Sequence, residues 1–264
     1  MNDLVNKFLH ENGFNPSKKM GQNFLINKQV CQDIVDAIDF TNVDLVIEIG
    51  PGLGAITDYL VPKAKHFIAI EIDKRLHEHI KNRYNNIEVI NEDVLRVDFD
   101  ELTKNYKNPI IVSNLPYSIS SLVVVKFIKS NIKQMYCMLQ KEMVDRIIAK
   151  PSTHEYNGFT VLLNTYASVS KIMNISKNNF NPMPNIDSTF ISIIKNNKKY
   201  DQEYDKFIKV CFGSKRQTLA NNLKNIIEKK DLYQHLEKMN LSLTVRAEEL
   251  TSDNFKILYG YLVK

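Results

Sequence analysis

The sequence predicts an α/β fold, in which a doubly wound parallel sheet is followed by a small all-helical domain. Strand patterns alternate with helical patterns from residue 45 to about 150, which is typical of a parallel sheet covered by helices on both faces. After the polar run at 196–199, the pattern has a helical period and lacks strand alternation. We therefore expect a first domain over 1–195, with an N-terminal arm over 1–40, and a helical domain over 196–264.

The first strand, which begins at Leu45, ends in a glycine-rich turn. Three of the eight glycines in the chain, Gly50, Gly52 and Gly54, follow this strand and precede an amphipathic run. Residues without a Cβ atom let a ligand approach the backbone at a helix N-terminus. The pattern predicts a strand, a turn and a helix that bind a nucleotide-like ligand at Gly50 and Gly52.

The second strand begins at Phe67 and ends at Glu71, which lies 21 residues after Gly50. An acid at about this distance binds the ribose diol in Rossmann-type nucleotide sites. The alternative is a solvated loop acid. A nicotinamide dinucleotide site is a competing interpretation, but Gly54 comes one residue too early for its G-x-G-x-x-G fingerprint, and no hydride-transfer site follows.

The third strand covers 87–91 and is followed by Asp93, which is placed to accept a hydrogen bond from the amino group of an adenine. The fourth strand runs from Ile110 to Asn114. Because the ends of consecutive strands line one edge of an open α/β sheet, these residues are expected beside the same ligand as Gly50 and Glu71.

The fourth strand ends in the sequence Asn-Leu-Pro-Tyr at 114–117. Pro116 cannot continue a strand, so the chain must turn there. Asn114 and the backbone carbonyl of Leu115 offer acceptors for an exocyclic amino group, and the ring of Tyr117 offers a stacking face. The alternative is an ordinary turn in which the tyrosine plugs the core.

Together these motifs resemble those of S-adenosylmethionine (SAM)-dependent adenine methyltransferases, and more narrowly those of the ribosomal RNA adenine dimethylase family. The first set comprises Glu48 to Gly54, Glu71 with Asp73, Asp93, and 114–117. Three further stretches at 19–25, 180–188 and 214–223 support the narrower match. The last of these favours the kasugamycin-sensitivity type, which dimethylates two adjacent adenines in small-subunit rRNA. It favours this type over the macrolide-resistance type, which modifies large-subunit rRNA, although Gln217 stands where a basic residue is usual.

The resemblance implies a Rossmann-like, seven-stranded SAM-dependent methyltransferase sheet, with late strands near 170–175 and 188–194. It implies SAM as the cofactor and an N-terminal arm that closes over it. The implied cofactor contacts are Asn23, Leu25, Gly50, Glu71, Asp93 and Asn114. Gln22 lies beside the arm, and its contact with cofactor or RNA is left open. No metal is expected, because the sulfonium of SAM is an excellent leaving group.

In this family the catalytic segment is expected to comprise Asn114, Leu115, Pro116 and Tyr117, together with Phe180. The two aromatic rings would hold the extruded adenine between them. Phe180 also lies close to Pro182 and Pro184, so it could equally be a hydrophobic plug on a rigid loop.

The net charge of +5 is concentrated in the C-terminal part of the chain. Residues 1–194 are balanced, whereas 195–264 hold 14 Lys and Arg against 9 Asp and Glu. An RNA phosphate backbone is the natural partner of such a surface, and the alternative is an ordinary solvated helical face. The residues expected to bind RNA are Lys215, Arg216, Asn221 and Asn222.

The remaining features agree with an intracellular RNA enzyme. The three cysteines have no metal-like spacing, and the sequence shows neither a long apolar run nor a leader-like N-terminus, so we expect a cytoplasmic protein without a membrane segment. The expected partner is small-subunit rRNA in a partly assembled 30S-type particle, and we expect a monomer. The alternative to an enzyme is a binding protein that retains this fold but has no catalytic activity. The intact cofactor turn together with 114–117 favours the enzyme.

Overall fold

The structure is a computed structural model that describes residues 2–11, 13–17 and 21–262. Lys19 and Met20, which belong to the N-terminal motif, lie outside the described residues. The chain divides into two compact units. The first extends to Lys141 and includes Val169–Lys195, and the second contains Glu142–Ser168 and the residues from Asn196 onward.

The first unit contains a seven-stranded sheet and a two-stranded ribbon. Its strands are β1 (Phe24–Leu25), β2 (Leu45–Ile49), β3 (Phe67–Ile70), β4 (Glu88–Ile90), β5 (Pro109–Asn114), β6 (Gln134–Gln140), β7 (Ala167–Ile175), β8 (Phe180–Asn181) and β9 (Ser188–Lys195). Its helices are α1 (Asn2–Glu11), α2 (Lys28–Asp36), α3 (Thr57–Leu60), α4 (Lys74–Arg83), α5 (Phe99–Thr103) and α6 (Ser120–Lys129).

The large sheet has the strand order β4-β3-β2-β5-β6-β9-β7. The five strands from β4 to β6 are parallel, and β9 pairs with β6 in the antiparallel direction. All five residues of β2 are buried, as expected of a central strand covered on both faces. The predicted seven-stranded sheet is confirmed, with β7 and β9 as its late strands.

The direction of chain progression reverses at β2, because the chain moves outward to β3 and β4 and then returns to form β5 on the other side. Ligands of open α/β sheets bind at the carboxyl ends of the strands beside such a reversal. The ends of β2 and β5 are joined by a side-chain contact. The hydroxyl of Ser113 in β5 donates a hydrogen bond to the backbone carbonyl of Ile49 in β2 at 2.7 Å. The topology therefore places the ends of β2, β3 and β5 at one edge.

The two-stranded ribbon was not predicted from the sequence. Strands β1 and β8 are antiparallel, with Phe24 opposite Asn181 and Leu25 opposite Phe180. This pairing joins the segment that follows the N-terminal helix to the loop between β7 and β9. It therefore holds two distant parts of the chain together near the carboxyl ends of the strands.

The second unit is helical and differs from the expected domain in one respect. It contains α7 (Lys141–Ile147), α8 (Gly158–Tyr166), α9 (Gln202–Cys211), α10 (Leu219–Asn222), α11 (Lys229–Lys238) and α12 (Ser252–Leu262). Residues 142–168 were expected in the first domain, but α8 packs against α9 and α12. The hydroxyl of Tyr156 donates to the carbonyl of Leu250 at 2.7 Å, which fixes this segment to the C-terminal helices. The first unit nevertheless ends at Lys195, where the expected domain ends.

Candidate active site

A cavity of about 890 Å³, including the part open to solvent, lies at the carboxyl ends of β2, β3 and β5. Its wall contains every residue that was expected to bind the cofactor. These are Asn23, Leu25, Gly50, Gly52, Glu71, Asp93 and Asn114. The fold therefore brings together residues that are separated by up to 91 positions in the chain.

The glycine turn exposes its backbone to this cavity. Gly50 and Gly52 have φ angles of 68° and 58°, which lie in a backbone region that residues with a Cβ atom rarely adopt. A Cβ at Gly50 would meet no atom within 4 Å, so the backbone there faces open space. A Cβ at Gly52 would lie 3.1 Å from the ring of Phe24, which is closer than an ordinary contact, so the ring would have to shift to admit it. The turn thus forms a cradle that fits a nucleoside ligand held close to the main chain.

Glu71 is buried in the cavity wall and does not lie in a solvated loop. Its carboxylate accepts hydrogen bonds from the backbone N–H of Gly52 at 3.2 Å and from that of Asp73 at 3.0 Å. Burial is the largest influence on this group and raises its pKa to about 7. An acid held in this position is suited to bind ribose hydroxyl groups.

Sequence reasoning assigned no role to Glu48, a second acid in the cavity wall. Glu48 is 3% exposed, and its carboxyl group accepts a hydrogen bond from the hydroxyl of Thr57 at 2.6 Å. Burial raises its pKa to about 8. An acidic residue in the otherwise apolar strand 45–49 was the signal that could have revealed this group.

Asn114 lies at the end of β5, where it lines the cavity. Its side-chain Nδ2 donates to the backbone carbonyl of Asn23 at 3.3 Å, which orients the amide and leaves Oδ1 as an acceptor for a substrate. The N–H of Leu115 donates to the carbonyl of Met138 at 3.3 Å, and the Leu115 side chain is buried. Among the described residues, no donor is bonded to the Leu115 carbonyl. The two acceptors expected from the sequence are thus adjacent at one strand end.

The two aromatic rings expected to hold the substrate base differ in accessibility. Tyr117 is half-buried, and its hydroxyl lies 3.4 Å from the Oγ atom of Ser188. Burial raises the pKa of this phenol. Phe180 is only 3% exposed and belongs to the hydrophobic core, because the pairing of β8 with β1 turns it inward. Neither ring lines the cofactor cavity. Phe180 lies where the alternative interpretation expects it, as a buried hydrophobic residue of the core.

Gln22, whose contact was left open, bonds to protein groups. Its Nε2 donates to Asp73 at 3.2 Å, and its Oε1 accepts from the backbone N–H of Ser17 at 2.7 Å. Asp73 is the N-cap of α4 and also receives a hydrogen bond from the backbone N–H of Arg75 at 3.0 Å. Gln22 therefore joins the segment that precedes β1 to the start of α4.

The four residues expected to bind RNA are not equally available for that role. Arg216 and the side chain of Asn221 are exposed. Lys215 lies 3.5 Å from the carboxylate of Glu248, which partly neutralises it. Asn222 uses its side-chain amide within the protein, because Nδ2 donates to the carbonyls of Cys211 and Ser214 and Oδ1 accepts from the N–H of Ser214. The structure gives Asn222 a structural role, whereas Arg216 remains the best candidate for a phosphate contact.

No helix in the described part of the chain is both long and apolar enough to cross a membrane. Within the same described ranges, no three side chains of His, Cys, Asp or Glu form a group that could hold a metal ion.

The mostly parallel sheet reverses its order beside a glycine turn, a buried acid after β3 and the polar end of β5. This arrangement is that of a Rossmann-like SAM-dependent methyltransferase. The chain belongs to the ribosomal RNA adenine dimethylase family, whose model matches residues 13–263.

Similar proteins cover nearly the whole chain. Ribosomal RNA small subunit methyltransferase A of Malacoplasma penetrans is 42% identical over 253 residues, which are 93% of this chain and 92% of that protein. The protein of the same name from Ureaplasma parvum is 42% identical over 271 residues and covers 98% of both chains.

Two solved structures have similar folds. A dimethyladenosine transferase from Plasmodium falciparum has a TM-score of 0.77 and 28% identity, covering 89% of this chain and 95% of its own. The 23S rRNA methyltransferase ErmE has a TM-score of 0.70 and 20% identity, covering 92% of this chain and 100% of its own. The second likeness concerns the fold alone.

Proposed function

We propose that this protein transfers methyl groups from SAM to the exocyclic N6 of two adjacent adenines in small-subunit rRNA. The product is N6,N6-dimethyladenosine, and the modification accompanies maturation of the small subunit. One observation carries the proposal: the cavity that fits the cofactor and the segment 114–117 share one strand-end edge, with Asn114 in the cavity wall. The small-subunit assignment is supported by the names of the relatives that cover nearly the whole chain.

SAM would be held by the residues of the cavity wall, and it supplies an electrophilic methyl group on a positively charged sulfur. The glycine turn allows close approach of the nucleoside part, and Glu71 binds the ribose hydroxyls. Asp93 accepts from the adenine of the cofactor. Because the sulfonium is already a good leaving group, the protein's task is to position the acceptor nitrogen.

The acceptor nitrogen needs help because its lone pair is delocalised into the adenine ring. Asn114 Oδ1 and the Leu115 carbonyl accept the amino hydrogens and draw the nitrogen toward a tetrahedral geometry. The hydrogen bond from Asn114 to the Asn23 carbonyl holds the first acceptor in place before substrate binds. Positioning and acceptors that favour the transition state together supply several kcal/mol, by analogy with preorganised sites in other enzymes.

Tyr117 is the residue proposed to stack on the extruded base, because its ring is only half-buried at the end of the segment that holds the acceptors. One stacked aromatic face contributes roughly 1–3 kcal/mol. β5 ends two residues before Pro116, and a proline disfavours a helical conformation of the residue before it, so the Leu115 carbonyl is not taken up in a helix.

We also propose that the second unit contacts rRNA phosphates, chiefly through Arg216, with Lys215 and Asn221 as lesser contributors. The proposed substrate is a partly assembled small subunit in the cytoplasm, and the proposed active form is a monomer. The reaction as proposed needs no metal.

The test is a comparison of acceptors. The protein is incubated with methyl-labelled SAM and with undermodified small or large ribosomal subunits, and the label in each rRNA is counted. Incorporation into the small subunit supports the proposal. Incorporation into the large subunit would support the macrolide-resistance type, and cofactor binding without transfer to either would support a non-catalytic relative.

A further inference from the structure

Two carboxyl groups are buried together in the wall of the cofactor cavity. Glu48 and Glu71 are 3% and 5% exposed. Both groups accept hydrogen bonds from neutral donors: the Thr57 hydroxyl for Glu48, and the backbone N–H groups of Gly52 and Asp73 for Glu71. In the described part of the chain neither carboxyl group forms an ion pair. A buried carboxylate without a cation is costly, so such groups tend to hold a proton.

The charged and titratable groups around this pair do not supply the missing positive charge. The titratable groups that interact electrostatically with Glu48 from neighbouring elements are Asp58, Tyr84, Cys31 and Glu71. Those around Glu71 are Asp73, Asp93 and Glu92. Two arginines lie nearby, but both form ion pairs with other acids. The guanidinium of Arg83 lies 2.6 Å from the carboxylate of Asp58, and that of Arg75 lies 3.3 Å from the carboxylate of Asp73. Each arginine already neutralises another acid.

SAM carries a sulfonium and an ammonium group against one carboxylate, and therefore has a net charge of +1. Its product S-adenosylhomocysteine (SAH) lacks the sulfonium charge and is neutral overall. When an acid of the cavity loses its proton, the resulting negative charge attracts the net positive charge of SAM. SAH has no net charge, so the same loss of a proton does not strengthen its binding.

We propose that binding of SAM releases a proton from this buried pair, and that Glu48 is the residue by which the cavity favours charged SAM over neutral SAH. In this step the O–H bond of the Glu48 carboxyl group breaks and the proton passes to solvent. The remaining carboxylate then compensates the positive charge of the cofactor. The inference rests on SAM as the cofactor, and it assigns Glu48 a role in specificity in addition to its hydrogen bond with Thr57.

The raised pKa values of the two groups agree with this arrangement, since burial moves Glu48 to about 8 and Glu71 to about 7. Near neutral pH the empty cavity thus still holds protons that it can lose. Glu71 is expected to bind the ribose, which SAM and SAH share. The comparison of the wild type with a Glu48 variant assigns the difference between the two ligands to Glu48.

The test is calorimetry of SAM and of SAH binding to the full chain at one pH, in buffers with different ionisation enthalpies. The dependence of the measured heat on the buffer gives the number of protons released. We expect roughly one more proton released with SAM than with SAH at pH 7. We also expect the preference for SAM over SAH to increase between pH 6 and pH 9.

Glu48→Gln is the informative variant, because glutamine has the shape of the protonated acid and can still accept from Thr57. It is expected to bind SAM like the wild type at pH 6, but about tenfold or more weakly than the wild type at pH 9. Its proton release should be nearly equal for SAM and SAH. Glu88→Gln is the matched control, because this exposed acid lies on β4 outside the cavity wall and should leave the proton count unchanged.

Equal proton release for SAM and SAH by the wild-type protein would overturn the inference and leave the cofactor assignment intact. Failure to bind either ligand would instead overturn the cofactor assignment and the inference with it. The wild-type comparison decides between these outcomes even if Glu48→Gln does not fold.

Discussion

The carboxylate of Glu71 accepts a hydrogen bond from the backbone N–H of Gly52 at 3.2 Å. This contact joins the end of β3 to the glycine turn that follows β2. The acid that we expect to bind the ribose therefore also holds the turn against which the cofactor lies. Two features that appear separate in the sequence form one binding unit.

Glu71→Ala is expected to weaken SAM binding while leaving the fold intact. The lost hydrogen bonds to a charged group should reduce binding by about 1.5–3 kcal/mol, which is roughly a 10- to 150-fold increase in Kd. Calorimetry measures this change. Glu88→Ala removes an exposed acid from β4 and serves as the control. Unchanged affinity in the Glu71 variant would exclude the ribose assignment.

Tyr117→Ala is expected to bind SAM almost normally, but to transfer methyl groups roughly tenfold or more slowly. The loss of a stacking face, about 1.4 kcal/mol or more, accounts for this effect. Tyr117→Phe should retain most activity, because the hydroxyl contact to Ser188 is long at 3.4 Å. The second methyl transfer should suffer most in the Ala variant, which mass spectrometry of mono- and dimethylated adenosine would reveal. If the Phe variant is as inactive as the Ala variant, the hydroxyl matters and the stacking account is wrong.

Phe180→Ala is expected to act mainly on stability. Its ring is in the core, so truncation should lower the free energy of unfolding by about 3–5 kcal/mol. Chemical denaturation of this variant beside Tyr117→Ala compares a buried ring with a half-buried one. A stable Phe180→Ala protein that has lost only methyl transfer would restore Phe180 to the base-stacking site.

The strand ends were predictable because their signals are local. Buried parallel strands appear as short apolar runs, and a polar or glycine residue marks the end of each, so the glycine turn and Glu71 could be chosen as cofactor contacts from the residues alone. Asp93 and Asn114 were expected at the same edge of the sheet, but their choice as cofactor contacts came from the family resemblance. The seven-stranded sheet and residues Asn23 and Leu25 came from the family resemblance and not from any local pattern.

What the sequence did not predict depends on long-range contacts. The pairing of Leu25 with Phe180 places an apparent stacking residue in the core, and no local pattern marks a two-residue strand. The packing of α8 against α9 likewise decides that residues 142–168 belong to the helical unit. The burial of Glu48 depends on the sheet around it, although a single acid in an apolar strand was a usable signal.

The stability of the cofactor-free protein is expected to fall as pH rises from about 4.5 to 8. The pKa of Glu48 is raised in the folded state above its ordinary value of 4.5, so the folded protein binds more protons than the unfolded chain in this window. Glu48→Gln should remove much of this decrease, which amounts to the order of a few kcal/mol. Urea denaturation at pH 5 and pH 8 measures it. Identical pH dependence in the two proteins would show that Glu48 is already ionised.

Replacing both Lys215 and Arg216 with Ala is expected to weaken RNA binding and to flatten its salt dependence. Each lost phosphate contact lowers the slope of log K against log salt by about 0.7–0.9. Because Glu248 partly neutralises Lys215, Arg216→Ala alone should account for most of the change. SAM affinity should stay the same. An unchanged salt slope would mean that these residues are only a solvated surface.

The central claim is the chemistry and position of methyl transfer. The most direct measurement is mass spectrometry of small-subunit rRNA after reaction of unmodified subunits with SAM and the wild-type protein, with Asn114→Ala as the control for the proposed acceptor. We predict N6,N6-dimethyladenosine at two adjacent positions with the wild type and little or none with the variant. Methylation at another atom of the base or on the ribose, or undiminished dimethylation by Asn114→Ala, would contradict the account.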